Sequence, residues 1–173
     1  MGLETYIIKT EIDEVKSKID EILRIRETIF SKALCVDGAY LLMNDEMDYM
    51  DKIHTDACWV KCNHITAWIA EKVFKSPKHK IDAHIGLLTT KDLIALRNDC
   101  QKIINHCVVG GNEIKVDKKF CKKVFPYLDM AFSGDPEYNE TFVEEIKSVI
   151  PDLDRLIMSA FDKDQLYILY ADF

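Results

Sequence analysis

Short helix and strand signals alternate in the second half of the sequence, and this alternation limits the fold more than any other feature. The stretch "HIGLLT" is typical of a strand, and the capping box "TTKD" at its end predicts the start of the helix "DLIALRNDCQKIINHC". The stretch "VVGGNEIKV" predicts a Gly-Gly turn between short extended pieces, and Asp117 is placed to cap a helix through "KKFCKKVF".

The remainder of this half continues the pattern. The stretch "DMAFSG" predicts a strand, and the turn "SGDPEY" leads into the helix "NETFVEEIKSVI", which Pro151 breaks or restarts. The Tyr-rich tail "QLYILYADF" alternates and predicts a final strand. These signals predict an α+β fold that is mainly α-helical, with a small antiparallel sheet of about three short strands.

The N-terminal segment carries apolar residues with the 4,3 spacing of a heptad seam. The seam consists of Ile8, Ile12, Val15, Ile19, Ile22 and Ile29. It predicts a long amphipathic helix within residues 4–34, in which roughly 28 helical residues would span about 42 Å. Such a helix either lies along its own core or pairs with a second copy as a homodimer, in which Arg26 would help to fix the register.

A second long helix is predicted from "DYMDKIHTDACWVKCNHITAWIAEKVF", which ends near Phe74 before Pro77. On a helical wheel Trp59 and Asn63 lie on one face, while Lys61 and Trp68 lie on the nearly opposite one. We therefore expect this helix to be contacted on both sides and to lie at the centre of the domain.

Length and charge limit the class of protein. The 173 residues favour a single domain over residues 1–173, and the net charge of −7 argues against a broad nucleic-acid surface. The short basic run from Lys75 to Lys80 is a candidate anion contact in a loop. No apolar run is long enough to cross a membrane and the N-terminus is acidic, so we expect a cytosolic protein, without a membrane partner, whose cysteines are free thiols.

Two groups of residues are candidates for a metal site and for a catalytic site. His54, Cys58 and Cys62 follow one another at intervals of four residues, but ligands spread over two helical turns cannot all reach one ion. The acidic residues of the "SGDPEY" turn and of the helix start after it are explained by helix capping. The sequence therefore predicts no metal site, no cofactor and no catalytic residues, and it favours a protein that is not an enzyme.

Several separated blocks of residues 57–172 occur in the order of a known family. The blocks are Trp59-x-Lys61-x-Asn63-x-Ile65-x-x-Trp68, "LIALRNDCQKII", "FPYLDMAFSGDPEYNETFVEEIKSVI" and "LYILY". They resemble a family of small uncharacterised bacteriophage and prophage proteins, in which a W-x-K-x-N-x-I-H-x-W helix precedes a G-S-x-x-Y-D-E turn. The resemblance implies a setting in an infected host cell rather than a mechanism.

Position by position, Trp59, Lys61, Asn63 and Trp68 match the first family motif, and Gly134, Tyr138 and Glu140 match the second. This chain departs from the family at two positions: Thr66 stands where the family has His, and Asn139 where it has Asp. A general base and its carboxylate partner at those positions would both be lost here, which argues further against an enzyme.

Side chains of the matched types suit a pocket for a planar anionic ligand. Aromatic faces stack on a ring, a lysine binds phosphate, and amide or carboxylate groups read polar edges. The candidate ligand-binding residues are Trp59, Lys61, Asn63, Trp68, Tyr138 and Glu140. The open alternative is that the tryptophans are core residues and that Lys61 and Glu140 form an internal ion pair.

The sequence thus favours a non-enzymatic phage-type binding protein in the host cell cytosol, which sequesters or blocks a host component. The component is a nucleotide-like small molecule, such as a signal of host defence, or a host protein. One alternative is a protein–protein inhibitor or adaptor with an acidic surface. Another is a small nucleotide-processing enzyme, which requires acidic or histidine side chains that converge in a cleft.

Overall fold

The structure is a computed structural model that describes residues 4–33, 55–60, 62–73, 84–110, 113–125, 138–160 and 165–172. In chain order its elements are β1 (Glu4–Thr10), α1 (Val15–Ala33), β2 (Ala57–Val60), α2 (Asn63–Lys72), β3 (His84–Thr89), α3 (Thr90–Cys107), β4 (Val108–Val109), β5 (Glu113–Ile114), α4 (Lys118–Val124), α5 (Glu140–Met158) and β6 (Leu166–Asp172). The fold is α+β and mostly helical, as the sequence predicts.

Four of the strands form an antiparallel sheet in the order β2, β1, β6, β3. The first and last strands of the described chain lie side by side at its centre, with Glu4 opposite Asp172 and Thr10 opposite Leu166. Strand β3 pairs with β6 on the side away from β1, and β2 pairs with β1 on the side away from β6. The centre of the sheet is therefore formed by two strands that lie far apart in the sequence.

The two faces of the sheet contribute to different cores. Ile7, Trp59 and Tyr167 belong to the larger core, together with apolar residues of α2, α3 and α5. On the opposite face, Ile8 and Ile168 pack with Ile22 of α1 in a smaller cluster. The period-two alternation of β1 thus supplies side chains to both cores.

Helices α3 and α5 bury apolar residues at helical spacing in the larger core. Leu93, Leu96, Cys100 and Ile103 of α3 are buried, as are Val149 and Leu153 of α5. Pro151 lies inside α5, on its exposed side, and the helix continues through it to Met158. Water can satisfy the carbonyl that Pro151 leaves without a backbone donor, so the proline is tolerated without restarting the helix.

The predicted helix over residues 4–34 is wrong in its first part. Residues Glu4–Thr10 form the central strand β1, and the helix of this region is the shorter α1. Ile12 of the predicted seam lies in the intervening turn and is 83% exposed. Of the predicted seam only Ile8 lies in β1, where β-branched and aromatic residues pair with β6, and this pairing outweighs the helical spacing.

The prediction of a second long helix is also wrong in part. Residues Ala57–Val60 form strand β2, with Cys58 opposite Tyr6 and Trp59 opposite Thr5, and α2 begins only at Asn63. Its earlier residues, up to position 54, lie outside the described residues. Short strands with aromatic and β-branched residues have no periodicity that separates them from buried helix, which explains the error.

The later elements agree with the predictions, except that the predicted break or restart at Pro151 is wrong. Strands β3 and β6 lie where they are expected, and the pair β4 and β5 flanks the Gly-Gly turn. At the start of α3 the backbone N–H of Thr89 donates to the Asp92 carboxylate at 2.8 Å, and the Thr89 hydroxyl accepts from the Asp92 N–H. The "DMAFSG" strand and the run Lys75 to Lys80 lie outside the described residues.

Candidate functional site

The two tryptophans of the predicted ligand site lie on different elements, and each is 3% exposed. Trp59 on β2 donates its indole N–H to the Asp152 carboxylate at 3.1 Å. Trp68 on α2 donates its indole N–H to the Asp99 carboxylate at 2.9 Å. Each tryptophan is therefore a core residue whose polar edge is held by an aspartate on a neighbouring helix.

Tyr138 is buried directly before α5 and also has a structural partner. Its hydroxyl donates to the carbonyl of Phe125 at 2.6 Å. Its ring lies in an aromatic cluster with His64 and Phe142, whose ring centroids are 5.2 and 5.1 Å from that of Tyr138. This cluster joins the start of α2 to the start of α5.

Two of the remaining predicted residues begin helices, and one is not described. Glu140 is the exposed first residue of α5, and Asn63 is the first residue of α2. Lys61 lies outside the described residues, so its predicted ion pair with Glu140 stays a prediction. Trp59 lies on a strand, so the prediction that it shares a helix face with Asn63 is wrong.

The two positions that differ from the resembled family have structural roles. The Thr66 hydroxyl lies 2.7 Å from that of Thr5, in a buried hydrogen bond between α2 and β1. Asn139 is the N-cap of α5, and its side chain accepts from the Phe142 N–H at 3.0 Å. The Thr66 hydroxyl and the Asn139 amide therefore help to position α2 and α5 through these hydrogen bonds.

Burial keeps several titratable side chains neutral in the larger core. Desolvation lowers the pKa of His64 from 6.5 to about 4, so the imidazole is neutral at pH 7. Desolvation also raises the pKa of the Cys62 thiol to about 12, with a smaller contribution from the charge of Glu145. A thiol with this pKa is almost never a thiolate at pH 7 and is a poor nucleophile.

The two described cysteines of the set that suggests metal binding differ in burial. Cys58 is exposed on β2, Cys62 is buried at the start of α2, and His54 lies outside the described residues. Within the described ranges, no group of three or more His, Cys, Asp or Glu side chains could hold a metal ion.

Helix α4 presents a surface that the sequence analysis missed. Lys118, Lys119, Lys122 and Lys123 are all exposed, and we call these four side chains the lysine surface. At 100° per residue they lie within an arc of about 140°. The opposite side of α4 carries the buried Cys121, next to the buried Phe125 at the end of the helix.

Contacts at the start of α4 hold the helix that carries the lysine surface. The Asp117 carboxylate accepts from the Phe120 N–H at 3.0 Å and lies 3.2 Å from Nε2 of His106 on α3. These two contacts lower the pKa of Asp117. The His106 ring also stacks on Phe120, with 3.9 Å between centroids. Asp117 is therefore engaged both in capping α4 and in the contact with His106.

The net charge around the lysine surface is opposite in sign to that of the rest of the chain. Residues 115–123 contain five lysines and one aspartate, a net charge of +4, so the rest of the chain carries −11. Lys115 lies 3.3 Å from Glu113, whereas the ion pairs within the described part of the chain do not include the lysine surface. The signal in the sequence was five lysines within nine positions.

Comparison of the chain with family models, with curated proteins and with solved structures finds no match. The resemblance to a bacteriophage family therefore stays a prediction. Of the helices that the structure describes, none is both long and apolar enough to cross a membrane.

Proposed function

We propose that this protein is a non-enzymatic binding protein that blocks or sequesters a component of a host cell, and that the lysine surface docks on an anionic partner. The observation that carries this proposal is the segregation of four exposed lysines on one side of α4, in a chain that is otherwise strongly acidic. The phage setting and the host cell cytosol belong to the same proposal.

The placement of the lysines supports a docking role because like charges that lie close together repel one another. Lys118 and Lys122 are four residues apart, as are Lys119 and Lys123, and such pairs of like charge destabilise a helix. An anionic partner relieves this repulsion and gains charge-assisted contacts. The Asp117 cap and the buried side of α4 preorganise the surface, so docking does not require the helix to form.

The size of the surface favours an acidic patch on a host protein over a nucleic acid. Helix α4 is only about 10 Å long at 1.5 Å per residue. A nucleic acid carries closely spaced phosphates along its whole length, and beyond α4 they would meet a chain of charge −11. A compact acidic patch matches the lysines without extending over that repulsive surface.

The small nucleotide-like ligand stays a prediction with its own test. Trp59, Trp68 and Tyr138 have structural partners in the core, and these contacts support the alternative in which they are core residues. Native mass spectrometry of the purified protein would detect a retained ligand. The same spectrum would test the homodimer predicted through the N-terminal helix, which α1 would form.

Binding of a labelled polyglutamate peptide, measured by fluorescence anisotropy at increasing salt, tests the docking proposal. The variant changes all four residues of the lysine surface to Gln, which keeps a good helix former at each position. We expect about a tenfold or larger loss of affinity in the variant, and binding by the unchanged protein that weakens with salt.

The matched control replaces four exposed lysines on other helices by Gln: Lys16, Lys72, Lys102 and Lys147. It has the same net charge as the variant, so equal losses in both proteins would contradict docking at α4. A DNA duplex is the second probe. Tighter binding to the duplex than to polyglutamate, at the same salt, would contradict an acidic protein as the partner.

A further inference from the structure

Two buried thiols meet behind the lysine surface. The Sγ atoms of Cys107 and Cys121 are 3.6 Å apart, and both residues are fully buried. Cys107 is the last residue of α3, and Cys121 lies in the middle of α4. The chain between them forms the β4 and β5 pair and returns to α3, where the Lys115 N–H donates to the Cys107 carbonyl at 2.7 Å.

We propose that Cys107 and Cys121 form an intramolecular disulfide under oxidising conditions, and that this bond fastens α4 to the end of α3. A disulfide has an S–S distance of about 2.05 Å, so the sulfur atoms must approach by about 1.5 Å. Helix α4 has seven residues and is exposed along its lysine surface, so a small shift of this element can supply the approach. The bond would tie together two elements that also meet through the contacts of His106 with Asp117 and Phe120.

Oxidised glutathione is a sufficient oxidant for this step. The thiolate of one cysteine attacks the glutathione disulfide, forms a mixed disulfide and releases one reduced glutathione. The thiolate of the second cysteine then attacks the protein sulfur of the mixed disulfide and releases the second glutathione. The two protein thiols lose two electrons and two protons, which appear in two molecules of reduced glutathione.

The environment of the pair sets the conditions for oxidation. Burial, followed by contact with Cys107, raises the pKa of Cys121 to about 12. Little Cys121 thiolate is present at neutral pH, and the oxidant must reach the buried pair through local opening of α4. Oxidation should therefore be slower than modification of the exposed Cys58, and it should accelerate as the pH rises.

The test incubates the full chain with oxidised glutathione at mildly alkaline pH, caps the remaining thiols under denaturing conditions and maps disulfide-linked peptides by mass spectrometry. We expect a peptide pair that joins Cys107 to Cys121 and disappears after reduction. The oxidised protein should also melt about 6 to 12 °C higher than the reduced protein, because the bond restricts the unfolded chain. The Cys58→Ser variant should give the same linked pair.

Cys107 and Cys121 that remain unlinked after prolonged incubation at alkaline pH, when Cys58 is fully glutathionylated, would overturn the proposal, because the oxidant would then have been reactive without joining the pair. A stable mixed disulfide at one of the two, with no linked peptide, would overturn it as well. The mapping uses the natural chain and does not depend on a variant that could fail to fold. The bond is also independent of any partner of the lysine surface, so the two proposals can fail separately.

Discussion

Acid should destabilise this protein through His64 over a defined pH range. The imidazole is buried, and its centroid lies 4.6 Å from that of Phe142 and 5.2 Å from that of Tyr138. Desolvation lowers the pKa of His64 from 6.5 to about 4. The unfolded chain therefore binds more protons than the folded one between these two values, and stability falls as the pH decreases through this range.

The size of the effect follows from the same pKa values. A difference of one pKa unit is worth about 1.4 kcal/mol, so the free energy of unfolding should lose about 3 kcal/mol in total from this residue. At pH 5 about 2 kcal/mol of this is already lost, while above pH 6.5 the contribution of His64 to stability is fully present.

The assay is urea denaturation at pH 7 and at pH 5, followed by the fluorescence of the buried tryptophans. The variant is His64→Phe, which keeps an aromatic ring beside Tyr138 and removes the titrating group. Other acidic groups contribute equally to both proteins and cancel in the comparison. We expect the variant to lose about 2 kcal/mol less stability than the natural chain between the two pH values.

A control for packing is Phe142→Leu, which alters the same aromatic cluster without changing a titrating group. It should lower stability by a similar amount at both pH values. The reasoning about His64 would be refuted if His64→Phe lost as much stability between pH 7 and pH 5 as the natural chain does. In that case the acid sensitivity would arise from other groups.

Two further substitutions test the polar contacts that position helices. Trp68→Phe removes the indole donor to Asp99, and we expect it to lower the free energy of unfolding by about 1 to 3 kcal/mol in urea denaturation; an unchanged value would contradict a structural role for this contact. Thr89→Ala removes the capping box of α3 and should cost about 1 kcal/mol, whereas Thr89→Ser should retain most of it; equal losses in both variants would argue against capping.

Local sequence signals were sufficient wherever an element begins with a cap or follows a turn residue. The Thr89 and Asp92 capping box, the Asp117 cap and the turn at Gly110 all occur where the sequence predicts them. Gly110 has a φ of 61°, a conformation that favours glycine. These features depend on hydrogen bonds and backbone dihedrals within a few residues, so they can be read without knowing the fold.

The functional residues were harder to predict because the same residue types serve cores and sites. The types and spacing of Trp59 and Trp68 fit both a ligand pocket and a core, and burial beside Asp152 and Asp99 supports the core. The lysine surface could have been found from five lysines in nine positions. Helical spacing puts the lysines and Cys121 on different sides of α4, and the tertiary structure adds that Cys121 is buried.

The sequence by itself determined the mainly helical α+β class and the capped elements of the second half, because those signals are local. Only the tertiary structure decided that Glu4–Thr10 and Ala57–Val60 are strands. Their backbone groups are paired by residues far away in the chain: β1 lies between β6, from the other end of the chain, and β2. Strand pairing is non-local, so an isoleucine spacing that also fits a helix cannot reveal it.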